Sequence, residues 1–167
     1  MFAFPLIFSA FTAAASTQAE MDLAELSARA DRVISGEVLT QRVESTPNGV
    51  YTFVSVMVEE TLRGRPALVI DVRIPGGKFG DIDVVVPGTP DFIDGTHVLL
   101  FLAGSHIVGM DDGAFVLEGE RIWRPIEGER FINPAGLSQE LDSGILDQHF
   151  LSWGMDEVRS TVVKARR

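Results

Sequence analysis

The chain contains no cysteine, so disulfides, thiolate nucleophiles and cysteine-ligated metals are all excluded. Histidine is scarce: His97, His106 and His149 stand too far apart for any local metal-ligand spacing, although adjacent strands could bring His97 and His106 together. Basic residues are few, 14 Lys and Arg against 24 Asp and Glu, which leaves a formal net charge of -10. Such a surface repels nucleic acid and anionic membranes; only Lys164, Arg166 and Arg167 form a basic tail, so no nucleic-acid partner is expected. No serine lies in a Gly-x-Ser-x-Gly elbow. The glycines Gly76, Gly77 and Gly80 are not followed by the Lys-Ser/Thr pair of a phosphate loop, and Lys78 is misplaced for one. No repeat and no low-complexity linker interrupts the chain.

One uncharged run is long enough to matter. Phe2 to Ala15 carries Phe2, Phe4, Leu6, Ile7, Phe8 and Phe11, and Thr17-Gln18-Ala19 fits a small-x-small cleavage signal before Glu20. Residues 1–19 read as a secretory signal peptide, too short for a comfortable membrane span, although no Lys or Arg precedes the apolar stretch. A buried N-terminal helix is the alternative. The expectation is a periplasmic or extracellular chain of about 148 residues with no stable membrane span after processing.

Beyond Glu20 the patterning is mainly β. Asp22 to Ala30 has a helical spacing at Leu23, Leu26 and Ala30 with Asp22 as cap. Ala30 to Leu39 alternates as a first strand, Pro47-Asn48-Gly49 marks a turn, and Tyr51 to Gly64 is a long strand with Val54, Val56, Val58 and Leu62 on one side. Ala67 to Ile74 and Ile82 to Val86 follow as strands, with Gly77 to Asp83 as a loop and Phe92 as a loop anchor. His97 to Leu102 is apolar on both faces, which suits a strand covered on both sides. A weak strand at Gly104 to Met110, a turn at Asp111-Asp112-Gly113, and strands at Ala114 to Leu117 and Glu120 to Trp123 complete a meander. Arg124 to Gly136 reads as irregular, Ser138 to Phe150 as an ambiguous helix, and Gly154 to Ala165 as a helix with Asp156 and Glu157 early and Lys164 late. The fold expected from this pattern is a small closed Greek-key barrel of the OB (oligonucleotide/oligosaccharide-binding) type with flanking N- and C-terminal helices, a two-sheet sandwich being the alternative. The barrel with its leading helix would occupy residues 20–125, and residues 126–167 would form an irregular segment and a helix packed on it.

Three pieces in order carry a resemblance: Ala30-Asp31-Arg32-Val33-Ile34-Ser35-Gly36-Glu37-Val38, then Val58-Glu59-Glu60-Thr61-Leu62-Arg63-Gly64, then Gly95-Thr96-His97-Val98-Leu99-Leu100-Phe101. Over roughly residues 30 to 117 the chain resembles exported bacterial proteins of unassigned function related to the netrin/tissue-metalloprotease-inhibitor barrel superfamily. The resemblance implies export and an NTR-like barrel. It implies inhibition less, because those inhibitors place an N-terminal cysteine on a protease zinc and this chain has none.

Candidate sites are weighed against plain structural roles. Asp81, Asp83, Asp91 and Asp94 form the densest acidic group, with no calcium-loop spacing and with the turn-forming habit of Asp as the simpler account. Glu60 shares the parity of Val54 and Val56, which calls for a bulge near Glu59, a strand end beyond the barrel rim, or a partner among Arg63, Arg65 and Arg73. A carboxylate pair of Glu37 with Glu60 has no support in spacing. Trp123, Phe131, Phe150 and Trp153 form a possible binding surface, or else pin the terminal helix and loop to the domain. No catalytic residue, metal ligand or cofactor is assigned. The function expected is that of a non-catalytic exported binding or accessory domain acting through protein contacts, with an exported protease as a candidate partner. The alternatives are a secreted metalloprotease-inhibitor-like module, a ligand- or glycan-binding barrel, and a hydrolase whose site is not evident in sequence.

Overall fold

The computed structural model describes residues 21–125 and 150–165. Helix α1 (Leu23–Arg29) opens the chain, and the Asp22 side chain accepts from the Glu25 N–H at 2.8 Å, a cap worth about 1 kcal/mol. Among the described residues ten strands follow: β1 (Arg32–Thr46), β2 (Gly49–Arg63), β3 (Val69–Pro75), β4 (Gly77–Phe79), β5 (Ile82–Val84), β6 (His97–Ala103), β7 (His106–Ile107), β8 (Ala114–Glu118), β9 (Arg121–Pro125) and β10 (Phe150–Gly154). Helix α2 (Met155–Lys164) closes the described chain. Gly77 to Asp83, expected as a loop, contains the β4–β5 ribbon, and only two residues of the weak strand expected at Gly104 to Met110 pair.

The main sheet is antiparallel, with the order β10-β9-β8-β6-β1-β2-β3 and β7 attached to β6. It is open, which corrects the expected closed OB-type barrel. The terminal strands β3 and β10 do not pair, and β4 and β5 form a separate two-stranded sheet. The long strands need no barrel to cross, because register shifts take up their curvature. Leu39 is an extra residue in β1, and Glu59 and Leu62 are extra residues in β2. At one place β3 approaches the β6–β7 turn, where the Arg73 N–H donates to Ser105 O at 2.7 Å. That is a single bond and not a ladder.

Each face of the sheet carries its own core. Val33, Leu99, Phe101, Phe115 and Ile122 pack under α1 and α2 on the helix face. Ile34, Val38, Val54, Val56, Val72, Val98 and Leu100 line the other, concave face, with Phe92 folded onto it. Strand β6 feeds both, so Val98 to Leu102 are all buried. Burying each such side chain stabilises by about 1.5–3 kcal/mol. Arg63, at the end of β2, ties the helices down: its guanidinium donates to Ser27 O and Ala30 O beside α1 and to Val162 O of α2.

The shifts decide which face a side chain takes. Paired residues in an antiparallel sheet share a face. Glu60 pairs with Ser35, whereas Val58 pairs with Gly36, so the bulge at Glu59 sends Glu60 to the helix face, away from Val54 and Val56. There it meets Arg159 of α2 at 3.1 Å instead of Arg63, Arg65 or Arg73. Glu60 and Glu120 together hold the Arg159 guanidinium above its ordinary pKa. The Leu39 bulge works the same way in β1: Gln41 pairs with Val54 and therefore turns onto the concave face.

Candidate functional site

The concave face opens into a groove of about 310 Å³ beyond the buried core, near the lower end of the range for ligand sites. Gln41 and Thr52 contribute from β1 and β2, Gly76 and Gly77 from the step between β3 and β4, and Asp83, Thr89 and Asp91 from the ribbon and the loop after it. A smaller pocket of about 100 Å³ adjoins it, sharing Ile74, Pro75, Thr89 and Pro90 and extending to Arg73, His106, Ile107 and Met110. Arg73 pairs with Phe53 and lies over Tyr51, so its guanidinium stands on the opposite face of β3 from Ile74 and Thr52.

Local sequence explains the groove's walls. Gly76 and Gly77 have φ of 97° and 124°, which glycine alone adopts without strain. A Cβ on Gly76 would lie 2.6 Å from Val84 O, and one on Gly77 would lie 2.5 Å from Thr52 Oγ1. The ribbon can therefore fold against the sheet only if both positions lack a side chain. Thr52 Oγ1 donates to Gly76 O, Thr89 Oγ1 donates to Val86 O, and Gln41 Nε2 donates to Phe92 O. These bonds hold the wall in shape. Met110 is the one described non-glycine residue with positive φ, at 65°, a conformation that costs about 1–2 kcal/mol. Backbone bonds from Asp111 N to Gly88 O and from Ala114 N to Asp111 O flank it.

On that face, Arg73 Nε donates to His106 Nε2 at 3.0 Å, and Nη2 lies against the same nitrogen. A guanidinium has no acceptor, so His106 accepts at Nε2. The Arg73 guanidinium also lies 4.8 Å from the Tyr51 ring centroid. His97 is elsewhere: its Nδ1 is 3.2 Å from Glu59 Oε2 at the start of β6, whereas His106 pairs with Ala103 at the other end, about 20 Å of extended strand away. The two histidines therefore do not share a site, and His149 lies outside the described residues. Among the described residues no three His, Asp or Glu side chains are grouped to hold a metal ion. Glu37 and Glu60 lie on different elements of the register: Glu37 pairs with Met57 and His97, Glu60 with Ser35.

Of the four aromatics expected as a surface, the two whose side chains are described, Trp123 and Trp153, lie apart. Trp123 is buried and pairs with Ser152, while Trp153 pairs with Ile122, so the two rings lie on opposite faces of the sheet. Trp153 packs edge-on to Phe115 at 5.5 Å, inside the helix-face core. Phe150 begins β10, and Phe131 lies outside the described residues. The sequence offers His106 as a candidate metal ligand and Arg73 as a candidate partner of Glu60; their mutual contact depends on the approach of β3 to β7, which no local motif signals.

Beside Met110, Asp111 is solvent-exposed, but local desolvation followed by the neighbouring Asp112 raises its pKa above the ordinary value. A carboxyl that binds its proton more readily when folded is less stabilising as pH rises from the ordinary value of 3.8 through the raised one. Asp111→Asn should therefore raise the melting temperature at pH 7, and the gain should vanish near pH 3. Equal melting temperatures at pH 7, or a gain that persists at pH 3, would contradict the desolvation account.

Compared with known proteins, the chain matches no family model, no curated protein and no solved structure.

Proposed function

We propose that this chain is an exported, non-catalytic binding domain that works through protein contacts, with the concave groove as its contact site. The observation that carries this reading is the groove's setting: an open channel walled by a ribbon and loop that present Phe79, Ile82 and Val85 to solvent, Val85 at 84% exposure. Large apolar side chains are costly to leave in water, and those grouped beside a channel mark a contact surface. The groove's hydroxyls are already engaged with backbone carbonyls, and its polar groups include no nucleophile paired with a base, which favours holding a partner over chemistry. Export rests on the Phe2 to Ala15 run and the small-x-small signal before Glu20.

The test is photo-crosslinking from position 85 in the native host, followed by mass spectrometry of the adduct. One saturable protein adduct should form, and Val85→Asp paired with Phe79→Ser should abolish its capture by tagged chain without lowering the melting temperature. Absence of an adduct, or one unaffected by those substitutions, would refute the reading. Turnover of a peptide or glycoside substrate by the purified chain would replace it with an enzyme.

A further inference from the structure

The tip of the β1–β2 hairpin carries a reactive dipeptide that the groove does not use. Thr46 pairs directly with Gly49, so Pro47 and Asn48 alone span the turn. Asn48 and Gly49 are both exposed, and water reaches them. Gly49 has φ of 125°, and a Cβ there would meet nothing nearer than the Tyr51 ring at 4.0 Å. Glycine therefore stands at this position for its backbone conformation, and the missing side chain leaves its nitrogen unhindered toward the Asn48 side chain. Three bonds hold the turn: Asn48 N–H donates to Thr46 Oγ1 at 3.2 Å, Thr46 Oγ1 donates to Gly49 O at 2.9 Å, and Tyr51 Oη donates to Asn48 O at 3.3 Å. The last falls on the peptide group that joins Asn48 to Gly49. An amide that loses its proton spreads the negative charge onto its carbonyl oxygen, so a donor on that oxygen makes the Gly49 nitrogen easier to deprotonate.

We propose that Asn48 is a self-modification site: the hairpin tip deamidates through a cyclic imide, assisted by the Tyr51 hydroxyl. Hydroxide from water takes the Gly49 N–H proton, and that nitrogen attacks the Asn48 side-chain carbonyl carbon. The new C–N bond closes a succinimide ring as the bond to the side-chain nitrogen breaks, and that nitrogen takes a proton from water and leaves as ammonia. Water then opens the ring. Breaking the new C–N bond gives aspartate; breaking the original backbone C–N bond gives isoaspartate, whose main chain runs through the former side chain. No oxidant or reductant enters. Asn133, the other asparagine, cannot follow this route because Pro134 has no N–H. Either product adds a carboxylate to a chain whose net charge is already -10, and isoaspartate also lengthens the backbone of a two-residue turn by a methylene. The site is independent of the contact function proposed above.

Prolonged incubation of the purified chain in mildly alkaline buffer, followed by peptide mapping with electron-transfer fragmentation, tests this. A gain of about 1 Da should appear at position 48 before any other amide, with both aspartate and isoaspartate present. In heavy-oxygen water each product should carry a single labelled oxygen. Tyr51→Phe keeps the ring under Arg73 but removes the hydroxyl, and it should slow the reaction of the folded chain about two- to fivefold. In denaturing urea, where the Tyr51 bond is gone, the parent and Tyr51→Phe should react at the same rate. Asn48→Gln should hold its mass, because the larger ring it would need closes far more slowly. An unchanged mass at position 48, a gain at Asn133 or the glutamines that is equally early, equal rates for the folded parent and Tyr51→Phe, or a rate difference that persists in urea would overturn the proposal.

Discussion

Val56→Asp should leave the domain largely unfolded at room temperature. Val56 is 0% exposed in the concave core, opposite Val38 on one side and Ile70 on the other. A carboxylate there meets only aliphatic side chains, and burying an unpaired charge or a polar group without a partner costs several kcal/mol. Adding the loss of valine packing brings the total to at least about 4 kcal/mol, a large part of the roughly 5–15 kcal/mol that keeps a domain folded. Met57→Lys provides the contrast: one residue on, the side chain is 39% exposed and stands opposite Glu37, so the new charge stays in water beside an acid. Ser55→Asp is a poorer contrast, because Ser55 Oγ donates to Asp71 at 2.6 Å and a second carboxylate there would repel the first. Thermal melts by circular dichroism should show no cooperative transition for Val56→Asp and a near-parental one for Met57→Lys. The reverse ranking would invert the faces of β2.

Arg124→Leu should cost about 3–5 kcal/mol, through a different mechanism. Arg124 is 4% exposed, its Nη1 lies 3.4 Å from Asp112 Oδ1, and the same nitrogen donates to Met21 O and Asp112 O. The guanidinium also lies over the Phe115 and Trp153 rings. Leucine fills much of the volume but leaves Asp112, only 14% exposed, without its cation and two carbonyls without a donor. Removing both charges tests the cause: Arg124→Leu with Asp112→Asn should recover part of the loss, because the stranded charge is gone. Urea denaturation of the single and double variants reads this directly. A single variant within about 1 kcal/mol of the parent would show that the pair is not buried as described.

These two sites differ in how far the sequence discloses them. The alternation of Val54, Val56 and Val58 identifies the concave face of β2, and the structure buries the first two on it. Nothing in the neighbourhood of Arg124 suggests a buried cation, because its partners Asp112, Met21 and Trp153 come from three distant stretches. Glu60 lies between these cases. Its parity reads as inward, and a bulge near Glu59 is one of the readings that resolves the conflict; the partner, Arg159, is 99 residues away and carries no local signal. The groove was the least legible feature. Gly77 reads as the start of a loop, whereas it opens β4, and the part it plays with Gly76 in setting the ribbon against Thr52 depends on contacts across 24 residues of chain.

What the sequence by itself determined is local: α1 with its Asp22 cap, the β1–β2 hairpin across Pro47-Asn48-Gly49, a two-faced β6 and α2 with acids in its first turn. Each follows from hydrophobic period and turn chemistry within a few residues. What only the tertiary structure decided is closure and adjacency. Alternation specifies that a strand has two faces, but it does not say whether the last strand returns to the first, so a pattern compatible with a barrel produced an open sheet with β3 and β10 at its edges. Bulges at Leu39, Glu59 and Leu62 then reassigned faces residue by residue, placing Gln41 in the groove and Glu60 against α2, because one extra residue in one strand reverses every side chain beyond it.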